Sequence, residues 1–298
     1  MQPIRVALFA PGSRERVMTK AMESSTDAVI LDLEDSVPIA GKAEARDLVA
    51  KTIDTAAPHA HPAPAIYVRI NGAGSEFASA DLEAVVRPGL DAVLLPKAES
   101  VEEVREVAVA IERTEAARGM PPGSVAIILM IESALGIYRC YDLIKTSPRV
   151  QASCIGSARD GDLQTDLGCA WSIEGTELLY ARSKLLLDTR AAGADIVPLD
   201  GVFSDLNDEE GLIKDSQLSA RLGYVGRTVI HPKQIAPVRQ AYAVPATDLA
   251  YYEKVVREFE AVEKAGTAAI TVDGKLIDYA MFERAKRVLE LAKLDRTN

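Results

Sequence analysis

The chain has 298 residues, of which 48% are hydrophobic and 26% are charged, and its formal net charge at pH 7 is −10. This length suits one barrel-sized domain with an extension, and it buries enough surface to fold without disulfides. The acidic balance argues against a nucleic-acid partner, because non-specific binding to nucleic acid requires a basic surface.

The cysteines and the first residues of the chain indicate the cellular compartment in which we expect the protein. The three cysteines, Cys140, Cys154 and Cys169, form no Cys-x-x-Cys pair, and we expect them to be reduced thiols. The first residues lack the charged and apolar regions of a signal peptide, and no apolar run is long enough to cross a membrane. We therefore expect a cytoplasmic protein with no membrane partner.

Short apolar runs recur along the chain, and each precedes a segment with helical character. The runs are nearly continuous and rich in β-branched residues, which is typical of parallel strands covered on both faces. Their number is the number of strand–helix units in a (β/α)8 barrel, so we predict an α/β protein with a TIM barrel. The predicted strands are Ile4–Ala10, Ala28–Leu33, Ala65–Ile70, Ala92–Leu95, Val125–Ile131, Val150–Ile155, Ala194–Leu199 and Arg227–Ile230.

Helical segments and a terminal hairpin complete the predicted architecture. Asp273-Gly274 separates two apolar arms, which is a strong hairpin signal. We predict that residues 1–245 form the barrel and carry a metal site. Residues 246–298 are predicted to form a C-terminal lid that packs on a neighbouring subunit. The segments behind this prediction are helices over Ser100–Arg118, Ser172–Ala191, Asn207–Leu222, Thr247–Lys264 and Tyr279–Leu294, and a hairpin over Ala268–Ile277.

Two carboxylates follow consecutive strands. Glu132 ends the fifth strand and Asp162 lies just beyond the sixth. Since the ends of neighbouring barrel strands adjoin, both acids can converge on one hard cation, and Mg²⁺ prefers one or two protein carboxylates. The alternative is that Asp162 caps the next helix.

Arg69 and an acidic triplet end two earlier strands. Arg69 lies inside an apolar strand, so it must reach an open end or be paired. It could grip a substrate carboxylate, or it could pair with Asp32 or Glu34 as scaffold. Asp32, Glu34 and Asp35 would repel one another without donors nearby, and we expect them to orient metal-bound water and Arg69, while part of the cluster caps a helix.

Three further positions are candidates for ligand contacts. Lys97 ends the fourth strand, where an ionic or ligand-binding role is favoured over a Schiff base. Arg14 follows Pro11-Gly12-Ser13 at the start of a helix, where an anion could bind. His59 and His61 lie in a loop in which solvation is favoured over metal binding.

The chain has no Gly-x-Ser-x-Gly, Walker or Gly-x-Gly-x-x-Gly motif after a strand. In order and over nearly its whole length, it instead resembles the citrate lyase β-subunit family of the HpcH/HpaI aldolase superfamily. The motifs that carry the resemblance are Pro11-Gly12-Ser13, Asp32–Val37 with Lys42 and Arg46, Val68–Asn71, Leu95-Pro96-Lys97, Ile131–Gly136, Asp162-Leu163 with Asp166-Leu167-Gly168, and Gly226–Ile235.

The resemblance implies Mg²⁺ on Glu132 and Asp162, with Arg69 at the substrate. It implies reversible carbon–carbon cleavage of a β-hydroxyacyl thioester, such as a citryl, citramalyl or malyl thioester. The partners are then a coenzyme A or acyl-carrier thioester and a 2-oxo acid. Gly274–Asp278 resembles a lid motif in which Asp278 is the acid/base from an adjacent subunit. We accordingly expect a homo-oligomer, a trimer or hexamer.

Residues near the ends of the predicted strands are further candidates for substrate contacts. Besides Arg69, Glu132 and Asp162, we expect Gly161, Lys97 and Arg14 to contact the substrate. Arg14, Lys42 and Arg46 are positional candidates for coenzyme A phosphates.

Some features depart from the family pattern. Six positions separate Gly156 from Asp162, which makes Asp160 a rival metal ligand. Ser133 stands where the family usually has Thr, and Tyr279 follows the lid Asp where Pro is common. These departures concern the substrate rather than the fold.

Alternative functions remain open. The chain could be an aldolase on free 4-hydroxy-2-oxo acids, a malyl-CoA thioesterase or synthase, or a non-catalytic subunit of a citrate lyase complex. The absence of His from Asp32–Val37 disfavours the aldolase, and the intact lid favours a self-contained enzyme.

Overall fold

The computed structural model describes residues 4–56, 64–263 and 269–293. Its parallel strands close into a barrel in chain order, with the first strand paired to the second and to the eighth. The predicted TIM barrel is confirmed. The barrel strands are β1 (Val6–Pro11), β2 (Ala28–Asp32), β3 (Ala65–Arg69), β4 (Ala92–Leu95), β5 (Ala126–Ile131), β6 (Val150–Ile155), β7 (Val197–Asp200) and β8 (Gly226–Val229).

Helices alternate with these strands. Single 3-10 turns, Ile39–Gly41 and Pro232–Gln234, precede two of them. The helices of the barrel region are α1 (Glu15–Met22), α2 (Lys42–Ala56), α3 (Ala78–Val85), α4 (Val101–Ala117), α5 (Ala134–Lys145), α6 (Asp162–Leu167), α7 (Leu179–Ala192), α8 (Glu209–Leu222) and α9 (Ile235–Tyr242).

Local chemistry explains why these elements begin where they do. In α4, the Ser100 hydroxyl accepts a hydrogen bond from the Glu103 N–H at 3.2 Å, which satisfies one free donor of the first turn. Val104, Val107 and Ile111 then recur on its buried face. Every residue of β2 and of β4 is buried, as expected for parallel strands covered on both sides.

Two predicted boundaries are corrected. The helix predicted from Ser172 begins only at Leu179, because the Ser172 N–H and hydroxyl both donate to Glu177 and Gly175 adopts a φ of +67°. The strand predicted from Ala194 begins at Val197, because the Ile196 N–H donates to the Gly193 carbonyl in a turn. In both cases local turn bonds interrupt an apolar pattern.

The chain divides into two compact units, Met1–Ala241 and Tyr242–Asn298. The second contains α10 (Ala246–Glu263), an antiparallel hairpin of β9 (Ala269–Val272) and β10 (Lys275–Asp278), and α11 (Tyr279–Lys293).

The predicted hairpin and closing helix are confirmed within residues 269–293. Asp273 and Gly274 have φ of 47° and 75°, the left-handed values that a tight two-residue hairpin turn requires. A core that includes Phe259 and Phe282, stacked at 4.6 Å, gives this unit its own packing.

Other predictions concern single features. The three cysteines are free thiols, and Cys140 and Cys154 are buried. Within the described ranges, no helix is both long and apolar enough to cross a membrane. His59 and His61 lie outside the described residues.

Glu115 ties the amino-terminal ends of β5 and β6 together. It is 1% exposed and receives two hydrogen bonds from Arg149, at 2.9 and 2.6 Å. The N–H groups of Gly123 and Val125 add bonds of 3.0 and 2.9 Å. Burial opposes ionisation, but these donors outweigh it and lower the pKa of Glu115 to about 2.

We expect Glu115→Gln to lower the free energy of unfolding at pH 7 by about 3 kcal/mol, because the bidentate pair with Arg149 is lost. The depressed pKa means that this stabilisation is complete above the carboxylate's ordinary pKa near 4.5 and disappears as pH falls toward about 2. Urea unfolding between pH 7 and pH 3.5 measures the difference. Glu112→Gln, at an exposed position of the same helix, is the control. A difference that does not change with pH would contradict this account.

Candidate active site

The carboxyl ends of the strands open onto a cavity of about 550 Å³ at one mouth of the barrel. In TIM barrels this end carries the chemistry, because loops from all eight units meet there. The lining residues are Phe9, Pro11, Asp32, Asp35, Ser36, Arg69, Met130, Glu132, Gly156, Ala158, Asp160, Gly161, Asp162, Val202 and Ile230.

Glu132 directly follows β5 and is only 7% exposed. Its Oε1 accepts the Lys97 backbone N–H at 3.0 Å. Gly156, after β6, is needed here because a Cβ at that position would collide with the Glu132 side chain. Burial, followed by the negative charge of Glu34, raises the pKa of Glu132 to about 7. Additional positive charge nearby would keep this carboxylate ionised at neutral pH.

Asp162 is the first residue of α6 and lines the same cavity. The cap position of this helix is Gly161, and the Asp162 Oδ2 lies 3.3 Å from the Lys97 ammonium nitrogen. The capping alternative raised by the sequence is therefore not what the structure shows. Asp160, the predicted rival, also lines the cavity and is exposed, with its backbone N–H donating to Gln164 Oε1 at 2.7 Å.

Arg69 ends β3 with its guanidinium 5.0 Å from the centre of the Phe9 ring. Its Nε and Nη2 donate to the two oxygens of Asp32 at 2.6 and 2.8 Å, a bidentate pair between buried residues. Its Nη1 lies 3.1 Å from Glu34 and 3.4 Å from Asp35. Arg69 therefore pairs with Asp32 and Glu34, as the scaffold alternative predicted, and it also lines the cavity.

The acidic triplet has unequal environments. Burial opposes ionisation of Asp32, but Arg69, the Ser36 side chain and the Glu34 N–H group lower its pKa below the usual value. Burial raises the pKa of Glu34, partly opposed by Arg69. Asp35 is exposed at the rim. Asp32 therefore belongs to a satisfied ion pair, whereas Glu34 depends on the cations beside it.

Lys97 connects these acids. Its Nζ lies 3.0 Å from Glu34 Oε1, 3.7 Å from Asp35 Oδ1 and 3.3 Å from Asp162 Oδ2. Although burial opposes it, the neighbouring carboxylates raise the pKa of Lys97 well above its ordinary value. An amine that stays protonated is a poor nucleophile, so the geometry favours the ionic role over a Schiff base.

The three cations that were predicted to bind anions lie in different environments. Arg14 is exposed at the start of α1, and its backbone N–H donates to the Pro11 carbonyl. Lys42 is buried and donates to the carbonyls of Leu33 and Glu34, both at 2.7 Å. Arg46 pairs with buried Asp81 at 2.9 Å. Lys42 and Arg46 secure the end of β2 and the adjoining helices in this structure, and their assignment to coenzyme A phosphates stays a prediction.

Sequence analysis missed the apolar wall of the cavity. Phe9 lies two residues before Pro11 in β1, and Met130 lies two residues before Glu132 in β5. Side chains two apart on a strand share a face, so this spacing was the signal that could have identified both. Val202 and Ile230 follow β7 and β8, and only the closed barrel brings them to this mouth.

A buried ionic network lies beside the loops after β6 and β7. Arg182 pairs with Asp215 at 2.8 Å and with Asp200 at 3.4 Å, and Arg227 pairs with Asp215 at 2.8 Å. The Ser157 hydroxyl donates to Asp200 Oδ1 at 2.9 Å. This bond fastens the loop that carries Asp162 to the end of β7.

The donor set at the mouth fits a hard divalent cation. Among the residues that the structure describes, no group of three or more His, Cys, Asp or Glu side chains is placed to hold a metal ion, so the protein would supply at most two such ligands. Proteins usually bind Mg²⁺ through one or two carboxylates and leave its other coordination positions to water or substrate oxygens. Zinc instead prefers His and Cys ligands. Arg69 and Lys97 form ion pairs with four acids of the mouth, Asp32, Glu34, Asp35 and Asp162, and neither cation forms an ion pair with Glu132.

A TIM barrel with an acidic mouth is typical of enzymes that use a divalent ion. The chain belongs to the HpcH/HpaI aldolase/citrate lyase family, which residues 5–232 match, and residues 186–295 match the carbon–carbon bond lyases of the TIM-barrel fold. The predicted family is confirmed, and the chain is a carbon–carbon lyase.

Three relatives illustrate the range of the family. The citrate lyase β subunit of Haemophilus influenzae is 35% identical, covering 97% of both chains. The mitochondrial citramalyl-CoA lyase of Mus musculus is 29% identical, covering 97% of this chain and 86% of its own. The CitE protein of Mycobacterium tuberculosis, solved with magnesium, acetoacetate and coenzyme A, is 29% identical, covers 98% of both chains and has a TM-score of 0.74.

Proposed function

We propose that this chain is a magnesium-dependent lyase that cleaves, or in reverse forms, a β-hydroxyacyl-coenzyme A, with an acyl-CoA and a 2-oxo acid on the other side of the reaction. The observation that carries the proposal is the convergence of Glu132, Asp162 and Arg69 on one cavity of about 550 Å³. That volume suits a small acid. The relative solved with magnesium, acetoacetate and coenzyme A supports the choice of metal and thioester.

In this proposal, Glu132 and Asp162 bind the magnesium ion. Glu132 Oε1 accepts the Lys97 N–H, so Oε2 would be available to the ion, and the Asp162 carboxylate beside the Lys97 ammonium would be the second ligand. Bound magnesium supplies a Lewis acid that offsets negative charge on the oxygens of the 2-oxo acid and its transition state. Asp160 is the competing ligand because it lines the same cavity.

Arg69 would bind the substrate carboxylate. Asp32 fixes the plane of the guanidinium through Nε and Nη2, and the Phe9 ring supports one face. Nη2 carries a second N–H beyond the one given to Asp32, which leaves a donor for the substrate. A guanidinium fixed in this way loses little conformational entropy when it binds a planar carboxylate.

The reaction needs a base for the β-hydroxyl proton. When that proton leaves, the adjacent carbon–carbon bond breaks and the hydroxyl carbon becomes the ketone of the 2-oxo acid. The electron pair passes to the thioester enolate, which takes up a proton to give the acyl-CoA.

We assign proton transfer to Asp278 of a neighbouring subunit in a homo-oligomer. Asp278 ends β10, is exposed, and accepts the Met281 N–H at 3.0 Å, so its second oxygen remains available. A carboxylate with an available oxygen can take up the hydroxyl proton and deliver a proton to the enolate carbon.

Incubation with Mg²⁺ and citramalyl-, malyl- or citryl-CoA should yield a 2-oxo acid together with an acyl-CoA. Both products are followed separately by chromatography, because release of free coenzyme A with an intact hydroxy acid would instead identify a thioesterase. Turnover of free 4-hydroxy-2-oxo acids alone would overturn the thioester proposal in favour of an aldolase.

Asp162→Asn should weaken magnesium binding by at least about 10-fold, because a neutral amide replaces a charged ligand. Asp160→Asn is the matched control two residues away and should change the affinity by less than about 3-fold. Calorimetric titration with Mg²⁺ measures both. A larger loss in the Asp160 variant would transfer the ligand role to Asp160.

Shared active sites predict complementation. Glu132→Ala and Asp278→Ala chains should each be inactive, and mixed oligomers should regain about a quarter to a half of the activity, since some sites then combine intact halves. The chains are co-expressed with different affinity tags, and doubly tagged oligomers are assayed. Mixed oligomers without activity would show that Asp278 does not act across subunits.

A further inference from the structure

Lys97 touches both proposed metal ligands through different parts of one residue. Its backbone N–H donates to Glu132 Oε1 at 3.0 Å, and its ammonium nitrogen lies 3.3 Å from Asp162 Oδ2. Glu132 follows β5 and Asp162 begins α6, so Lys97, after β4, connects the ends of three successive units.

The backbone at Lys97 is unusual. Its φ is 51°, in the left-handed region that costs a non-glycine residue roughly 1 kcal/mol or more. Such an outlier persists only where the surroundings fix it. Here the N–H bond to Glu132 and the ionic contacts of the ammonium are the interactions that fix it.

The ammonium lies where positive charge is needed. It is 3.0 Å from Glu34 and 3.7 Å from Asp35 as well as 3.3 Å from Asp162. Arg69, the other cation of the mouth, is already committed to Asp32 in a bidentate pair. Lys97 is therefore the cation that pairs with Asp162, and its charge opposes the approach of a metal ion to that carboxylate.

We propose that Lys97 is an internal counter-cation of the metal site: its ammonium holds Asp162 in the metal-free protein and competes with the divalent ion for it, while its N–H keeps Glu132 in place. This inference rests on the proposed function, because it assumes that Glu132 and Asp162 are the ligands. Lys97 is a positioning residue in this account and sets how tightly the ion binds. The fixed cation also limits repulsion among the acids when no metal is bound.

Removing the ammonium should strengthen metal binding. Asn tolerates left-handed backbone and keeps the N–H, so Lys97→Asn deletes the charge with little effect on the turn. We expect Lys97→Asn to bind Mg²⁺ roughly 3- to 10-fold more tightly in calorimetric titrations, because one competing half-exposed charge is lost. Without metal, the variant should melt at a lower temperature than the unmodified protein, and saturating Mg²⁺ should narrow that gap.

Three further variants complete the test. Lys97→Gly also relieves the backbone strain and should show the same tighter binding, which keeps the test valid if the Asn variant folds poorly. Lys97→Arg retains the charge and should bind Mg²⁺ nearly as the unmodified protein does. Lys20→Asn, at an exposed position in the last turn of α1, controls for the loss of one positive charge elsewhere.

The outcomes separate this inference from the proposed function. Weaker or unchanged Mg²⁺ affinity in the Asn and Gly variants, with normal binding by the unmodified protein, would overturn the counter-cation role alone. The same loss of melting temperature with and without Mg²⁺ would likewise reduce Lys97 to a structural residue. No Mg²⁺ binding by the unmodified protein would overturn both proposals.

Discussion

Unbalanced charge at the mouth of the barrel is the constraint on which the site depends. Six carboxylates, from two strand ends, the loop after β6 and the start of α6, face one cavity or its rim, and Arg69 and Lys97 pair with four of them. Packing like charges together costs free energy unless cations or hydrogen-bond donors offset it. Burial is the larger cause of the raised pKa of Glu132, about 7, and the negative charge of Glu34, which is part of this excess, adds to it. A divalent cation removes the excess, which is why acidic clusters of this kind suit metal-assisted chemistry on anionic substrates.

The surrounding scaffold keeps the acids in place. Asn71 and Arg46 both bind Asp81, and Lys42 bonds the carbonyls after β2. The bond from Ser157 to Asp200 anchors the loop after β6 to a buried network of arginines and aspartates. Buried ionic networks of this kind contribute little net stability, but once satisfied they define one arrangement of the loops they touch.

Tyr242–Asn298 is organised separately from the barrel. Phe259, Phe282 and the hairpin residues Val272 and Ile277 give it an apolar core, so the position of Asp278 at the end of β10 is set within this unit. A unit with its own core can move as a rigid body, opening or closing a site, without unfolding. In the proposed function, this unit supplies Asp278 to the active site of another subunit.

The sequence by itself determined the barrel, the hairpin and the family. Apolar runs, capping residues and turn residues act over a few positions, so the strands at Ala92–Leu95 and Val150–Ile155 and the Asp273-Gly274 turn follow from local rules. It also located Glu132, Asp162, Arg69 and the acidic triplet, because a strand's carboxyl end is visible in the sequence.

Only the tertiary structure decided which of these side chains meet. It shows that Lys97 bridges the acids through a left-handed turn, that Lys42 and Arg46 serve the scaffold, and that Phe9 supports Arg69. These contacts join residues far apart in the chain across a closed barrel. Their distances depend on strand register and on how several side chains share one space, and neither has a local signature in the sequence.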